Sequence, residues 1–284
     1  MKKIVGVSFV AVGKIYWFNP GNLAMDVNTK VVVETVRGLE LATVVVAPKE
    51  VEDSDVEFEL KDIVRLADNN DIKHFEENLI KAHKSCERVK EIIDEYKLDM
   101  KLLGCEYTLD ATKLLIYYNA EGRVDFRELV KALASEFKLR IELRQVGPRE
   151  GAKMIGAIGT CGREVCCKKH IREFDLVTMK MAKEQGMALS STKIAGVCGK
   201  LMCCISYENK VYEDAKKRVP GVGDIVKTPT CEKCKVITAD FLREIIKTDN
   251  NGTIEQWDAK EVVKIKSAKN KEEKITAEEL KLED

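Results

Sequence analysis

Short apolar runs separated by polar turn residues fill the first fifty residues. Lys3–Phe9, Lys14–Phe18, Lys30–Thr35 and Leu39–Val46 are rich in β-branched and aromatic residues, and Pro20-Gly21 and Arg37-Gly38 punctuate them. This pattern predicts an N-terminal antiparallel sheet in which Tyr16 and Trp17 pack. Glu50–Glu59 reads as an acidic, solvated connector. From Ile72 the period becomes helical. Ile72, Phe75, Leu79, Ala82, Cys86, Val89, Ile93 and Tyr96 advance in steps of three and four, the stripe of one long amphipathic helix capped at Asn69 or Asn70. Cys86 lies in the stripe and reads as core; His74 and His83 read as surface.

Lys101–Leu109 and Lys113–Tyr118 predict a β-hairpin with Leu103, Cys105 and Tyr107 on one face, so Cys105 also reads as core. Asp125 and Glu128 have the spacing of a capping box, and the helix that follows carries Phe126, Leu129, Val130, Leu133 and Phe137 on one side. Leu139–Gln145 alternates strictly and predicts a strand. Strand–strand–helix–strand is an arrangement common among RNA-binding folds, a likeness of architecture alone. Near the C-terminus, Gly223–Lys227, Lys235–Ala239, Glu244–Lys247 and Val262–Lys266 predict a small β-barrel-like module. The fold class is α+β. The expected organisation is an α+β region over 1–150, a cysteine-rich loop and helix region over 151–219, the β module over 220–267, and a charged, disordered tail over 268–284.

Charge narrows the function. Lys plus Arg and Asp plus Glu are 48 each, so the net charge is zero, which removes the argument for a non-specific polyanion binder. RNA contact is expected to be weak or indirect. Met1-Lys2-Lys3 precedes no signal-peptide apolar core, and no apolar run approaches the ~18 residues of a membrane span. Ten cysteines without an export signal point to a reducing cytoplasm, where disulfide frameworks are disfavoured.

The densest chemistry lies between Gly156 and Cys204. Gly159-x-Cys161-Gly162-Arg163-x-x-Cys166-Cys167 recurs as Gly196-x-Cys198-Gly199-Lys200-x-x-Cys203-Cys204, an offset of 37 residues from Cys161 to Cys198. Thiolates clustered in this way usually hold metal. Arg163 and Lys200 offer a cation beside each first thiol, and a helix opens at each second cysteine pair, predicted over His170–Gln185 and Ile205–Val219. Adjacent cysteines diverge, so each pair is expected to serve two sites. Three readings compete: an iron–sulfur cluster, structural zinc, and thiol redox or plain burial. Cys231-x-x-Cys234 brings the thiols available for metal to eight, or is a pair of loop thiols outside the sites. His170, three residues after Cys167, reads as a helix-surface residue that could replace a thiolate.

The paired Cys-Gly-[Lys/Arg]-x-x-Cys-Cys motifs resemble the bacterial YaaT/RicT family. So do Val124–Val130 leading to Arg140–Arg149, and Gly223-Asp224-Ile225-Val226. Members carry a domain named after a yeast polymerase suppressor, and the resemblance spans residues 1 to about 266. It implies a cytoplasmic regulatory subunit joining two small helical proteins, RicA and RicF, in a complex with two [4Fe–4S] clusters. That complex is linked to ribonuclease Y-dependent mRNA maturation and to sporulation, competence and biofilm development. The implied ligands are Cys161, Cys166, Cys167, Cys198, Cys203 and Cys204, with further thiolates from the partners, and the Ile72–Tyr96 stripe gains a purpose as a docking face. The expected function is therefore a non-catalytic adaptor. No G-x-G-x-x-G or P-loop fingerprint and no Cys–His–acid arrangement supports an enzyme. A zinc-stabilised RNA-binding module and a thiol-based or iron–sulfur oxidoreductase are the rival readings.

Overall fold

Val5, Val7, Val31, Val33, Ala42 and Val44, at every second position of their strands, build the first core of the chain. In the computed structural model, which describes residues 2–52, 60–122, 124–250 and 252–267, the chain forms two units, Met1–Glu173 and Phe174–Asp284. Most of the predicted acidic connector, and the charged tail from Ala268, lie outside the described residues.

The first unit opens with an antiparallel sheet of β1 (Lys2–Ser8), β2 (Tyr16–Phe18), β3 (Lys30–Thr35), β4 (Gly38–Val51) and β5 (Ile63–Leu66), in the order β2-β1-β4-β3-β5. The pairing is close enough at Gly6 that an added β-carbon would lie 2.8 Å from Ile15 and 2.9 Å from Val46 side-chain carbons. Helix α1 (Asn69–Glu95) follows, capped by Asp68 in place of the expected Asn69 or Asn70. Asp68 accepts from the Asp71 N–H at 2.8 Å and Asp71 accepts from the Asp68 N–H at 2.9 Å, so two carboxylates complete the box. The predicted stripe is buried mainly in the second half of α1, at Ala82, Val89 and Ile93, joined by Ile92, which lies outside the stripe; Leu79 is 52% exposed.

Strands β6 (Lys101–Tyr107), β7 (Lys113–Asn119) and β8 (Arg140–Gln145) form a three-stranded sheet in that order. β6 and β7 are antiparallel, and helix α2 (Arg127–Phe137) carries the chain over to β8, parallel to β7. Leu114 and Ile116 of β7 face a core shared with Leu129, Leu133 and Val89, while Leu115 and Tyr117 face Leu103 and Val146. The capping box predicted at Asp125 does not form. Phe126 is the N-cap, and Asp125 accepts from the Arg127 N–H at 3.1 Å, a short side-chain turn one residue too early to cap. Helix α3 (Pro148–Ile155) packs on β6 and leads into a tight loop and a single turn, α4 (Cys166–Lys169).

The second unit begins with α5 (Met179–Glu184), α6 (Ser191–Ile194) and α7 (Cys203–Arg218), which enclose Val177, Met179, Ala182, Ile194, Leu201 and Ile205. Of the helix predicted over His170–Gln185 only α5 forms; the residues between α4 and α5 are irregular. Tertiary contacts override its propensity: Arg172 donates to the carbonyls of Ala11 and Gly13 at 3.0 Å, while Val177 joins the core of the second unit. The chain ends in β9 (Ile225–Lys227), β10 (Cys234–Asp240), β11 (Ile245–Asn250), β12 (Thr253–Asp258) and β13 (Val263–Lys266), ordered β12-β11-β10-β9-β13. Among the described residues β12 and β13 do not pair, so the expected barrel-like module is an open antiparallel sheet. Val219, Ala259 and Val262 cover its buried face at Val226, Val236 and Ile246, a substitute for closure. No described helix is long and apolar enough to cross a membrane.

Candidate metal centre

The sequence repeat is a structural repeat, hydrogen bond by hydrogen bond. In the first copy the Gly159 N–H donates to the Arg163 carbonyl at 2.8 Å and the Gly162 N–H to the Gly159 carbonyl at 2.9 Å. In the second, Gly196 donates to Lys200 at 2.8 Å and Gly199 to Gly196 at 2.9 Å. One antiparallel bridge closes each loop, Ile158 with Glu164 and Ala195 with Leu201. The next N–H returns to the same place: Val165 to the Ala157 carbonyl at 3.0 Å, Met202 to the Ile194 carbonyl at 2.9 Å. Each copy is therefore a knuckle, a five-residue turn followed at once by a helix start.

The glycines explain why the turn closes. Gly162 and Gly199 have φ of +76° and +80°, a left-handed conformation that a β-carbon disfavours. Each first sulfur lies over its own knuckle, 3.5 Å (Cys161) and 3.7 Å (Cys198) from the point a β-carbon on Gly159 or Gly196 would occupy. Arg163 and Lys200, expected to act as cations beside the thiols, contribute the carbonyls that close the turns. That role carries no side-chain signal in the sequence.

The second cysteine pairs stand at helix starts in both copies, Cys166 and Cys167 in α4 and Cys203 and Cys204 in α7. The sixteen residues of α7 bring the positive end of a helix dipole to Cys203 and Cys204, and no side chain caps that end. Cys161 is exposed, Cys166, Cys198, Cys203 and Cys204 are half-buried, and Cys167 is buried. His170, exposed, follows α4, and its backbone N–H donates to the Cys166 carbonyl at 3.1 Å.

All-thiol donors on glycine turns and a helix start fit a thiolate-bound group such as an iron–sulfur cluster or zinc. Among the described residues no three His, Cys, Asp or Glu side chains converge on one point, so neither knuckle gathers a full ligand shell by itself. Cys231 and Cys234 are joined in a disulfide beside β10, and in that form neither sulfur is a thiolate; ligation there requires reduction.

Comparison with known proteins matches residues 61–146 to the PSP1 C-terminal conserved region and residues 176–219 to the third domain of PSP1-like proteins. The first match takes in β5 to β8, and the second contains the whole second knuckle and α7. The chain is 45% identical over 249 residues to the stage 0 sporulation protein YaaT of Bacillus subtilis, covering 88% of this chain and 90% of that one. Shorter likenesses occur in fungi. Protein PSP1 of Saccharomyces cerevisiae is 47% identical over 47 residues, or 16% of this chain and 6% of its own length. A Schizosaccharomyces pombe protein is 47% identical over 49 residues, 17% and 6% of the two chains. No solved structure matches. With 45% identity across nearly the full length of a bacterial relative and two PSP1-type regions in order, the chain belongs to the YaaT/PSP1-type family.

Proposed function

We propose that the chain is a non-catalytic regulatory subunit whose two knuckles supply thiolates to [4Fe–4S] clusters. The observation that carries this reading is the backbone identity of the two knuckles, each presenting one sulfur on a glycine turn and two at a helix start. Cys161, Cys166, Cys167, Cys198, Cys203 and Cys204 would hold the iron, which when bound supplies a redox-sensitive tie between thiolates. The chain's own part is to aim the sulfurs and exclude competing geometries. Since neither knuckle gathers three donors alone, thiolates from partner subunits complete the shell, and RicA- and RicF-like small helical proteins are the partners that this reading requires. The name of the Bacillus subtilis relative supports a role in sporulation. Competence, biofilm formation and ribonuclease Y-dependent mRNA maturation extend the same proposal, with cytoplasmic action and RNA contact indirect.

A glycine-closed cysteine knuckle is equally suited to zinc, which keeps a zinc-stabilised RNA-binding module as the second reading. Anaerobic purification, alone and with the partners, separates the two. The cluster reading expects a brown protein with iron and acid-labile sulfide, and Cys166→Ser and Cys198→Ser each losing iron while circular dichroism is unchanged. Colourless protein with stoichiometric zinc in both preparations would overturn it, and tight binding of a defined RNA at physiological salt would establish the rival.

A further inference from the structure

Two cysteines outside the knuckles face each other. Cys86 lies on α1 and Cys105 on β6, elements that pack together, and the two side chains are close enough to interact electrostatically. Both are free and half-buried; Cys105 packs against the core of α1, α2 and the three-stranded sheet, as its strand alternation predicts. Both also line a groove of about 730 Å³ between α1 and β6, walled by Leu79, Lys90, Met100 and Leu102. An oxidant in solvent therefore reaches this pair. β6 is an edge strand whose register shifts between Leu102 and Gly104, so its backbone beside Cys105 is held from one side only and can adjust.

We propose that Cys86 and Cys105 are a dithiol site for modification by peroxide-class oxidants, closing to a Cys86–Cys105 disulfide that ties α1 to β6. The Cys86 thiol gives up its proton and the sulfur attacks a peroxide oxygen; the O–O bond breaks, and the departing hydroxide takes up that proton, so a sulfenic acid and one water result. Cys105 then attacks the sulfenic sulfur, the S–O bond breaks, and the departing hydroxide takes the Cys105 proton to leave as a second water. Two thiols lose two electrons and two protons, and one hydrogen peroxide becomes two waters. Burial, together with the neighbouring Cys86, pushes the Cys105 thiol up, so Cys105 stays protonated while Cys86 meets the peroxide and gives up its proton only as the disulfide forms. The site shares no residue with the knuckles, so it stands or falls apart from the proposed cluster.

The test is to treat the full, reduced chain with hydrogen peroxide, block the remaining thiols, and map its peptides without reduction by mass spectrometry. A peptide pair joined through Cys86 and Cys105 is expected, together with a raised thermal midpoint, both reversed by a thiol reductant. In Cys86→Ser the joined pair and the midpoint rise should vanish, and Cys105 should stay open to alkylation. The proposal fails if oxidation consumes knuckle thiols while Cys86 and Cys105 of the wild-type chain remain alkylatable. It fails equally if either is joined only to another cysteine.

Discussion

Gly162 and Gly199 are the residues on which each knuckle turns. Nothing lies within 4 Å of a β-carbon placed on either, so a substitution there meets backbone strain and no collision. The left-handed conformation costs an L-residue about 1–2 kcal/mol. Gly199→Ala is therefore expected to destabilise the second unit by about 1 kcal/mol, and Gly199→Asn by less, because asparagine tolerates this region. Urea denaturation of the three proteins checks the order; equal stabilities would mean that the turn does not hold its conformation. Gly6 makes the contrast. Its φ is unremarkable, but two side chains stand under 3 Å from its missing β-carbon, so Gly6→Ala is a packing substitution.

At the scale of elements, α1 depends on its first turn. Asp71 sits three residues beyond the Asp68 cap and receives the Arg65 guanidinium, with Arg65 Nη2 at 2.8 Å from Oδ1. The hydrogen bond from Arg65 holds the Asp71 carboxyl down to about 2 from its ordinary 3.8, and burial opposes that shift without reversing it. The sign follows: the folded value lies below the unfolded one, so this stabilisation is complete above about pH 4 and is lost as the pH falls toward 2. The Arg65 side chain is 47% exposed, and solvent screening reduces the gain to about 1–2 kcal/mol. Asp71→Asn, which keeps an acceptor for the Asp68 N–H, should lose that amount at pH 7 and only a small part of it at pH 2. Chemical denaturation at the two pH values measures it, and an equal loss at both would show that charge is not the cause.

At the scale of the whole molecule, each unit carries its own cores and one of the two tryptophans, Trp17 in the first and Trp257 in the second. Ile246 is fully buried beneath the C-terminal sheet. Truncating it to alanine removes packing that is worth about 2–5 kcal/mol in a well-filled core. Ile246→Ala in a Trp17→Phe background should lower the denaturation midpoint seen by Trp257 fluorescence. Leu133→Ala in a Trp257→Phe background should lower the one seen by Trp17. An unmoved midpoint in either would place the truncated residue outside the core that its fluorophore reports.

The residues that determine structure locally were readable along the chain. Val31–Val33 and Leu114–Tyr118 are short apolar runs rich in strand formers, Leu129 and Leu133 are a helical turn apart, and the glycines and cysteines of the knuckles recur at fixed spacing. Each of these signals is carried by neighbours within a few positions, so most strands, α2 and the duplicated motif followed from sequence alone, whereas β5 and β12 did not. Four features were decided by tertiary structure. The Arg163 and Lys200 carbonyls close the turns through backbone atoms that every residue type possesses, so no side chain announces them. The segment after Cys167 leaves its helix because Arg172 and Val177 find partners far away in the chain. The C-terminal strands stay an open sheet because Ala259 and Val262 supply the cover that closure would have given. Cys86 and Cys105 meet because α1 packs on β6 with a particular rotation, and period alone places a residue on a face without saying which residue stands opposite.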